Sequence, residues 1–283
     1  MDPTSMESIW WVFKQLWDKE LIYKGRKSMH VCPRCATPLS NFEVTLGYQD
    51  VTDYSVTAKF KLDNLPYSIL SWTTTPWTLP GNMYLAVGAK ITYGLYKVSY
   101  ESEKQEFLIL AKNLAETVLK DKTYTHVKDL HAKDLVGQTY EPLFPYFADL
   151  KKEGKYRIEV GSFVDDKEGT GVVHIAGGYG EDDMEFAKKY GKEDGTDVIR
   201  HVTMEGTMIA EITDFAGEEA KPKSDPQRMD HKIAKWLEEH GKLFVATPYR
   251  HSYPHCWRCD SPLLNYATDA WFVSIDKIKK TML

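Results

Sequence analysis

Apolar residues recur with different periodicities along the 283-residue chain, and each periodicity predicts a different type of secondary structure. Residues 6–20 repeat their apolar side chains every three or four positions, which predicts an amphipathic helix. Its apolar face consists of Ile9, Trp10, Phe13, Leu16 and Trp17. Such a face needs a partner surface, which is either the core of the chain itself or another part of a larger protein.

From about residue 42 to residue 110 the pattern becomes that of strands. Short runs rich in β-branched and aromatic residues are separated by Gly, Pro, Asn and Asp, which favour turns. The predicted strands are 56–62, 67–73, 83–87 and 106–111. A helix over 112–120 and a pair of strands at 155–164 and 171–176 follow.

Two further helices have clear start signals. Glu181, Asp182 and Asp183 open a helix that runs through Tyr190, because acidic residues interact favourably with the dipole at a helix N-terminus. The sequence 224–226 (Ser-Asp-Pro) starts another helix, which continues to about residue 240 and ends at a glycine.

Composition narrows the class of protein without giving its function. Hydrophobic residues make up 42% and charged residues 27%, as in an ordinary globular protein. No apolar run approaches the roughly 18–20 residues that cross a bilayer, so we expect no membrane partner. The N-terminus has no secretory-type signal, which predicts an intracellular, cytoplasmic protein. The net charge of -5 argues against a broad nucleic-acid-coating surface but permits a site for one end of a nucleic acid.

All four cysteines occur in CxxC pairs, Cys32/Cys35 and Cys256/Cys259. In an intracellular chain such pairs are typical of metal ligands, and four thiolates suit a tetrahedral structural zinc. An ordinary zinc ribbon closes over roughly 15–20 residues, whereas these pairs lie near opposite ends of the chain. We expect one shared zinc site that brackets the β-rich middle. The alternatives are four reduced cysteines without metal, or two separate sites completed by His30, His251 or His255.

Two other segments carry candidate chemistry. Residues 71–82 read SWTTTPWTLPGN, in which three threonines follow a predicted strand and two prolines prevent further pairing. Hydroxyls there could recognise an ester carbonyl, ribose hydroxyls or water, although threonine-rich strands are common. Residues 169–183 read GTGVVHIAGGYGEDD, in which His174 faces the opposite side of a strand from Val173 and Ile175. A lone strand histidine is more often a core residue than a catalyst. The glycines fit neither a P-loop nor the dinucleotide fingerprint.

Taken together, these segments resemble the isoleucyl-tRNA synthetase family. WTTTPWTLPGN is similar to the family's editing-site threonine segment, and GTGVVHIA followed by GEDD is similar to its second editing segment. The flanking stretches, including SYPHCWRCDSPLLNYATDAWFV, extend the resemblance over nearly the whole chain. The HIGH-type and KMSKS-type nucleotide-activation signatures are missing from the sequence. The resemblance therefore implies a fragment without the aminoacylation site, and ATP belongs only to the full-length enzyme.

The activity that the resemblance implies is that of an aminoacyl-tRNA deacylase within an isoleucine–tRNA ligase. One methylene contributes only about 1–3 kcal/mol of discrimination, and these synthetases are themselves the standard example of that limit. The implied substrate is the 3′ end of tRNA(Ile) carrying valine, with valyl-adenylate as a further candidate. Water would attack the ester directly. The alternative is a zinc-clasped tRNA-binding module without hydrolysis.

The family's site residues can be carried over position by position. The implied catalytic residues are Asp183, Thr74, Thr75 and His174, and the implied substrate-binding residues are Thr73, Thr78, Asn82 and Trp72. Asp183 matches the aspartate that pairs with the substrate α-ammonium, and His174 matches the histidine that limits side-chain size. Gly177 stands where the family commonly has proline, so we expect a more mobile loop before Asp183.

The predicted fold is α+β: a β-barrel-like editing domain with peripheral helices and a small zinc-knuckle base that carries both termini. Residues 1–45 are expected to form the N-terminal helix and the first knuckle, and residues 46–247 the editing domain. Residues 248–283 would form the second knuckle and return to the synthetase body, which is the other implied partner.

Overall fold

Three β-sheets organise the computed structural model, which describes residues 2–100 and 105–282. The strands are β1 (Ile22–Cys32), β2 (Thr37–Pro38), β3 (Tyr48–Lys61), β4 (Ser68–Thr73), β5 (Tyr84–Val87), β6 (Thr92–Ser99), β7 (Gln105–Ala111), β8 (Thr123–His131), β9 (Arg157–Val160), β10 (Val172–Ile175), β11 (Leu243–Pro254) and β12 (Leu264–Val273). The α-helices are α1 (Pro3–Asp18), α2 (Asn41–Thr45), α3 (Ala115–Val118), α4 (Ala132–Leu135), α5 (Glu181–Tyr190), α6 (Arg228–Glu239) and α7 (Asp276–Met282). Short 3₁₀ helices span Pro76–Gly81, Lys112–Leu114 and Ala148–Glu153.

The largest sheet has six strands in the order β11-β3-β4-β7-β6-β8. The β4–β7 pair is parallel and the other neighbours are antiparallel. β11 and β8 are the two edge strands, and they do not pair with each other. Within the described residues the sheet therefore stays open at both edges. The predicted α+β class is confirmed, but the predicted barrel-like closure is wrong.

A second sheet has the order β10-β5-β9. Every residue of β5 is buried, because β5 is the central strand, with β10 antiparallel on one side and β9 parallel on the other. The two strands predicted at 155–164 and 171–176 therefore exist, but they flank β5 and do not pair with each other. This sheet lies in the main hydrophobic core, which also includes Phe60, Trp77 and Tyr140.

The third sheet, in the order β12-β1-β2, joins the two ends of the chain. β1 and β12 pair from Ile22↔Val273 to Val31↔Leu264. Next to it, a small separate core contains two of the four cysteines, Cys32 and Cys256. The backbone N–H of Ala267 on β12 donates to the carbonyl of Gly178 at 2.8 Å, so this sheet supports the loop before α5.

α1 and α5 lie close to their predicted ranges. The helix predicted over 112–120 is instead a 3₁₀ helix at Lys112–Leu114 followed by the short α3, and the pattern does not predict α2, α4 and α7. α1 has no buried residue, and Trp10 and Trp11 are each 64% exposed, so the described residues do not cover the predicted apolar face. α6 begins at Arg228, because residues 224–227 form turns in which the Arg228 N–H donates to the Asp225 carbonyl at 3.1 Å. No helix in the described ranges combines the length and the apolar character needed to cross a membrane.

Candidate active site

The threonine segment folds into a tight turn at the end of β4. The Thr75 N–H donates to Thr73 Oγ1 at 3.1 Å, and the two hydroxyl oxygens lie 3.3 Å apart. Pro76 then starts a 3₁₀ helix, where a missing N–H costs little. The Thr78 N–H and hydroxyl both donate to the Thr75 carbonyl, at 2.9 and 2.8 Å. Thr74 lies half-buried within this turn.

The glycines of the second segment let β10 lie against β4. Gly169 and Gly171 both have φ +72°, a left-handed conformation that favours glycine, and a Cβ on Gly169 would lie 2.9 Å from Cε3 of Trp72 on β4. The Thr170 hydroxyl donates to the Leu70 carbonyl at 2.9 Å. The Ser71 hydroxyl donates to a carbonyl of β10 at 2.9 Å. The threonine segment (71–82) and the glycine-containing segment (169–183) are therefore neighbours in the fold.

His174 on β10 is buried and bonded at both ring nitrogens. Its Nε2 lies 2.8 Å from Thr78 Oγ1, and its Nδ1 lies 3.3 Å from Asn82 Nδ2. Burial, with a smaller contribution from nearby His201, lowers the pKa of His174 to about 3, so the ring is neutral at pH 7. The Thr78 hydroxyl hydrogen already points to Thr75, so we assign the imidazole proton to Nε2, which donates to Thr78.

Asn82 continues this hydrogen-bond chain into the core. Its side-chain N–H₂ donates to the Tyr84 carbonyl at 2.9 Å and to His174 Nδ1. Its Oδ1 accepts from the hydroxyl of Tyr140 at 2.7 Å, and Tyr140 is fully buried. Each step fits the donor and acceptor capacity of the groups. The result is a directional chain from Tyr140 through Asn82, His174 and Thr78 to the threonine turn.

Asp183 lies in the first turn of α5, after the N-cap residue Gly180. Its Oδ1 accepts from the N–H of Ala176 at 2.7 Å. Since Ala176 follows His174 by two residues, this bond holds the carboxyl group close to the end of β10. Burial raises the pKa of Asp183 to about 7, against the opposing effect of the Ala176 hydrogen bond. An acid with this pKa ionises readily once a cation binds beside it.

The sequence also led to one expectation for Gly177 and another for Trp72. Gly177 is buried, and a Cβ there would lie 2.7 Å from the Ala187 Cβ and 2.9 Å from Val198 Cγ1, so the packing leaves little room for a larger residue. The mobility expected for this loop stays a prediction. Trp72 precedes Thr73 on β4 and so points to the opposite face, where its ring packs edge-on against Tyr249 at 5.0 Å. Its role in substrate binding also stays a prediction.

Sequence reasoning missed three buried residues that support the site: Tyr140, His201 and Asp230. Asp230 Oδ1 accepts from the Trp77 N–H at 3.1 Å, and His201 Nε2 lies 2.9 Å from the Trp77 carbonyl. Burial raises the pKa of Asp230 to about 7 and lowers that of His201 to about 4. One signal was present in the sequence: Asp230 falls on the apolar stripe of the predicted helix, three positions before Ile233.

The two CxxC pairs converge as expected. The four Sγ atoms of Cys32, Cys35, Cys256 and Cys259 lie within 4.8 Å of one another, with Cys32–Cys259 at 3.4 Å and Cys35–Cys259 at 3.8 Å. Tetrahedral zinc with bonds of about 2.3 Å needs sulfur atoms roughly 3.8 Å apart, so the donor set and its spacing fit zinc.

The histidines considered as alternative ligands lie outside this four-cysteine group. His255 Nδ1 lies 3.0 Å from the Tyr253 carbonyl, and His251 Nε2 lies 2.9 Å from Asp53. His30 is half-buried on β1, opposite Asn265. The arrangement therefore favours one shared site over two separate ones.

Comparison with known proteins identifies the class. Residues 1–283 match the family described as tRNA synthetases class I (I, L, M and V), and the chain belongs to that family. It is 41% identical over all 283 residues to the isoleucine–tRNA ligase of Chlamydia trachomatis serovar L2. It is 42% identical over 281 residues to that of Clostridium novyi. The family resemblance read from the sequence is thereby confirmed.

The chain corresponds to only part of each of these ligases. It spans only 26% and 25% of the lengths of these two ligases. A crystal structure of GlLeuRS-CP1 aligns with 69% of this chain and 99% of its own, with a TM-score of 0.51 and 16% identity. At that identity the likeness is one of fold alone.

Proposed function

We propose that the chain is the editing domain of an isoleucyl-tRNA synthetase and hydrolyses valine from mischarged tRNA(Ile). The observation that carries the proposal is the hydrogen-bonded unit of Thr75, Thr78, Asn82 and His174, with Asp183 anchored beside the same strand. Valyl-adenylate is a second substrate within the same proposal. The similarity to isoleucine–tRNA ligases over the whole chain supports this choice of synthetase.

The proposed binding mode uses the charge of Asp183. The substrate presents an α-ammonium group, which would pair with the carboxylate and lower its pKa from about 7. Thr73, Thr74 and Thr75 would contact the terminal adenosine and the aminoacyl ester through their hydroxyls and backbone. This pairing orients the ester carbonyl toward a positioned water.

The proposed chemistry is direct attack by water. The aminoacyl ester is already activated, so positioning water and stabilising the developing oxyanion are the main requirements. His174 is a poor general base, since its pKa of about 3 and its two hydrogen bonds leave no free basic nitrogen near pH 7. We assign His174 the steric role: its ring forms the wall that accepts valine and excludes isoleucine.

A structural zinc and the rest of a synthetase are the proposed surroundings of the domain. Four thiolates would hold zinc at all four positions, so the metal would stabilise the fold and leave no open site for catalysis. The rest of the synthetase is the proposed partner, with the boundaries 1–45, 46–247 and 248–283 predicted from the sequence. The tRNA 3′ end is the nucleic-acid partner, ATP acts only in the full-length enzyme, and the location is the cytoplasm.

Deacylation tests this function directly. Valyl-tRNA(Ile) and isoleucyl-tRNA(Ile) are incubated with the chain, alone and within the complete synthetase, in three forms: wild type, Asp183→Ala and Asp182→Ala. Asp182 is an exposed neighbour on the same helix turn and serves as the matched control. We expect release of valine but not isoleucine, lost in Asp183→Ala and kept in Asp182→Ala. Tight tRNA binding without any release of valine would favour the non-catalytic binding module.

A further inference from the structure

The backbone of Trp77 is held from outside its own helix at both polar atoms. Trp77 lies between Thr75 and Thr78 in the 3₁₀ helix, and the first N–H groups of such a helix lack partners within it. The Trp77 N–H donates to Asp230 Oδ1 at 3.1 Å, and the Trp77 carbonyl lies 2.9 Å from His201 Nε2. Both supporting side chains are 0% exposed.

A buried charge network holds Asp230 in place. Its Oδ2 lies 3.7 Å from Lys221 Nζ, which bonds to Asp53 Oδ1 at 2.9 Å. Asp53 also contacts His251 Nε2 at 2.9 Å through its other oxygen. Buried ionic groups cost stability, and well-packed apolar replacements often do as well or better. Stability alone is therefore a weak reason for a carboxylate beneath the threonine turn.

His201 is fixed just as closely. Its ring packs edge-on against Tyr179 at 4.6 Å. A Cβ at Gly81 would lie 2.4 Å from its Nδ1, so the absence of a side chain at Gly81 is what admits the ring. Since burial lowers the pKa of His201 to about 4, the ring is neutral at pH 7 and donates from Nε2 to the Trp77 carbonyl.

We propose that Asp230 and His201 are positioning residues for the hydrolysis: they clamp the Trp77 backbone and thereby set the positions of Thr75 and Thr78. The inference rests on the proposed function. Thr78 contacts His174, so a shift of the clamped turn would displace the threonine hydroxyls and the size-limiting ring together. A misplacement of about 1 Å can cost roughly 10²-fold in rate, which makes such a clamp consequential.

Paired substitutions in the complete synthetase test the clamp. Asp230→Asn keeps an oxygen for the Trp77 N–H, whereas Asp230→Ala removes it. His201→Gln keeps a donor near the Nε2 position, whereas His201→Ala removes it. Glu238→Ala, on the exposed face of α6, is the matched control. The measurements are kcat and KM for deacylation of valyl-tRNA(Ile), together with hydrogen exchange of the Trp77 amide.

The alanine variants should lower kcat by roughly 10- to 100-fold with KM within about twofold, because the ammonium contact at Asp183 remains while the threonine turn loses its catalytic geometry. Exchange at the Trp77 amide should quicken in Asp230→Ala while amides in the β6–β7 ladder keep their protection. The Asn and Gln variants should recover most of the rate. The second pair keeps the test decisive if one alanine variant fails to fold.

Three results would overturn the clamp. The first is a normal kcat in folded Asp230→Ala and His201→Ala. The second is a loss of rate that follows general loss of exchange protection across the β6–β7 ladder, which marks a merely structural role. A wild-type enzyme that releases no valine overturns the proposed function instead. Unchanged Trp77 exchange in Asp230→Ala would then reject the clamp independently.

Discussion

Replacing Tyr140 with phenylalanine removes one atom from the hydrogen-bond chain behind the site. The Tyr140 hydroxyl donates to Asn82 Oδ1 at 2.7 Å, and the two residues are 0% and 2% exposed. Burial raises the pKa of Tyr140 well above its usual value, so the hydroxyl remains a donor throughout the neutral range. In Tyr140→Phe the buried amide oxygen of Asn82 loses the hydrogen bond from this hydroxyl, which costs about 1–3 kcal/mol of folding free energy.

Urea denaturation of the wild type and Tyr140→Phe measures this cost. We expect the free energy of unfolding to fall by about 1–3 kcal/mol at unchanged m-value, with Tm lowered by roughly 2–4 °C per kcal/mol. Tyr146→Phe is the matched control, since the Tyr146 hydroxyl donates at 2.6 Å to the exposed Asp214. Its change should stay within about 0.5 kcal/mol. Equal stabilities of the two variants would refute the hydrogen-bond chain through Asn82.

Two further predictions concern pH and metal. Because burial raises the pKa of Asp183 to about 7, kcat/KM for valyl-tRNA(Ile) should rise with pH up to about 7. It should fall again above roughly 8, where the substrate ammonium deprotonates. A rise with pH that persists in Asp183→Asn would contradict this assignment. In the folded state the pKa of Asp183 (about 7) is higher than in the unfolded state. The free energy of unfolding should therefore decrease as pH rises from about 4 to about 7. Elemental analysis should find one zinc per chain, reduced in Cys256→Ser, and two zinc ions or none would exclude a shared four-cysteine site.

Local pattern predicts the elements of this fold better than their partners. β4 at Ser68–Thr73 and α5 at Glu181–Tyr190 lie almost where the pattern puts them, because alternation and acidic start signals are local properties. Partner choice for β9 and β10 depends on β5, a strand distant in sequence. The pattern does not predict β1 as a strand, since its residues are largely polar and its pairing with β12 spans the whole chain.

The site divides along the same line. The threonines and the cysteine pairs have motif signals, and the structure confirms the convergence of the four cysteines. Tyr140 and His201 come from irregular segments with no periodicity, so nothing local marks them as buried supports. Their role depends on which backbone or amide group they meet after folding. Asp230 alone among the three had a sequence signal, as an acid on an apolar helix face.

Under the proposed function, the rigidity of His174 explains how the site can distinguish valine from isoleucine, which is larger by one methylene. Attraction in an apolar pocket cannot exclude a slightly larger side chain by much, so selectivity must come from a wall that does not yield. The ring can rotate only by breaking its contacts with Thr78 and Asn82, each contributing about 0.5–1.5 kcal/mol. Because the ring is neutral, this resistance persists across the neutral pH range. Selectivity therefore belongs to the whole hydrogen-bonded unit, and Asn82 contributes to it without needing to touch the substrate side chain.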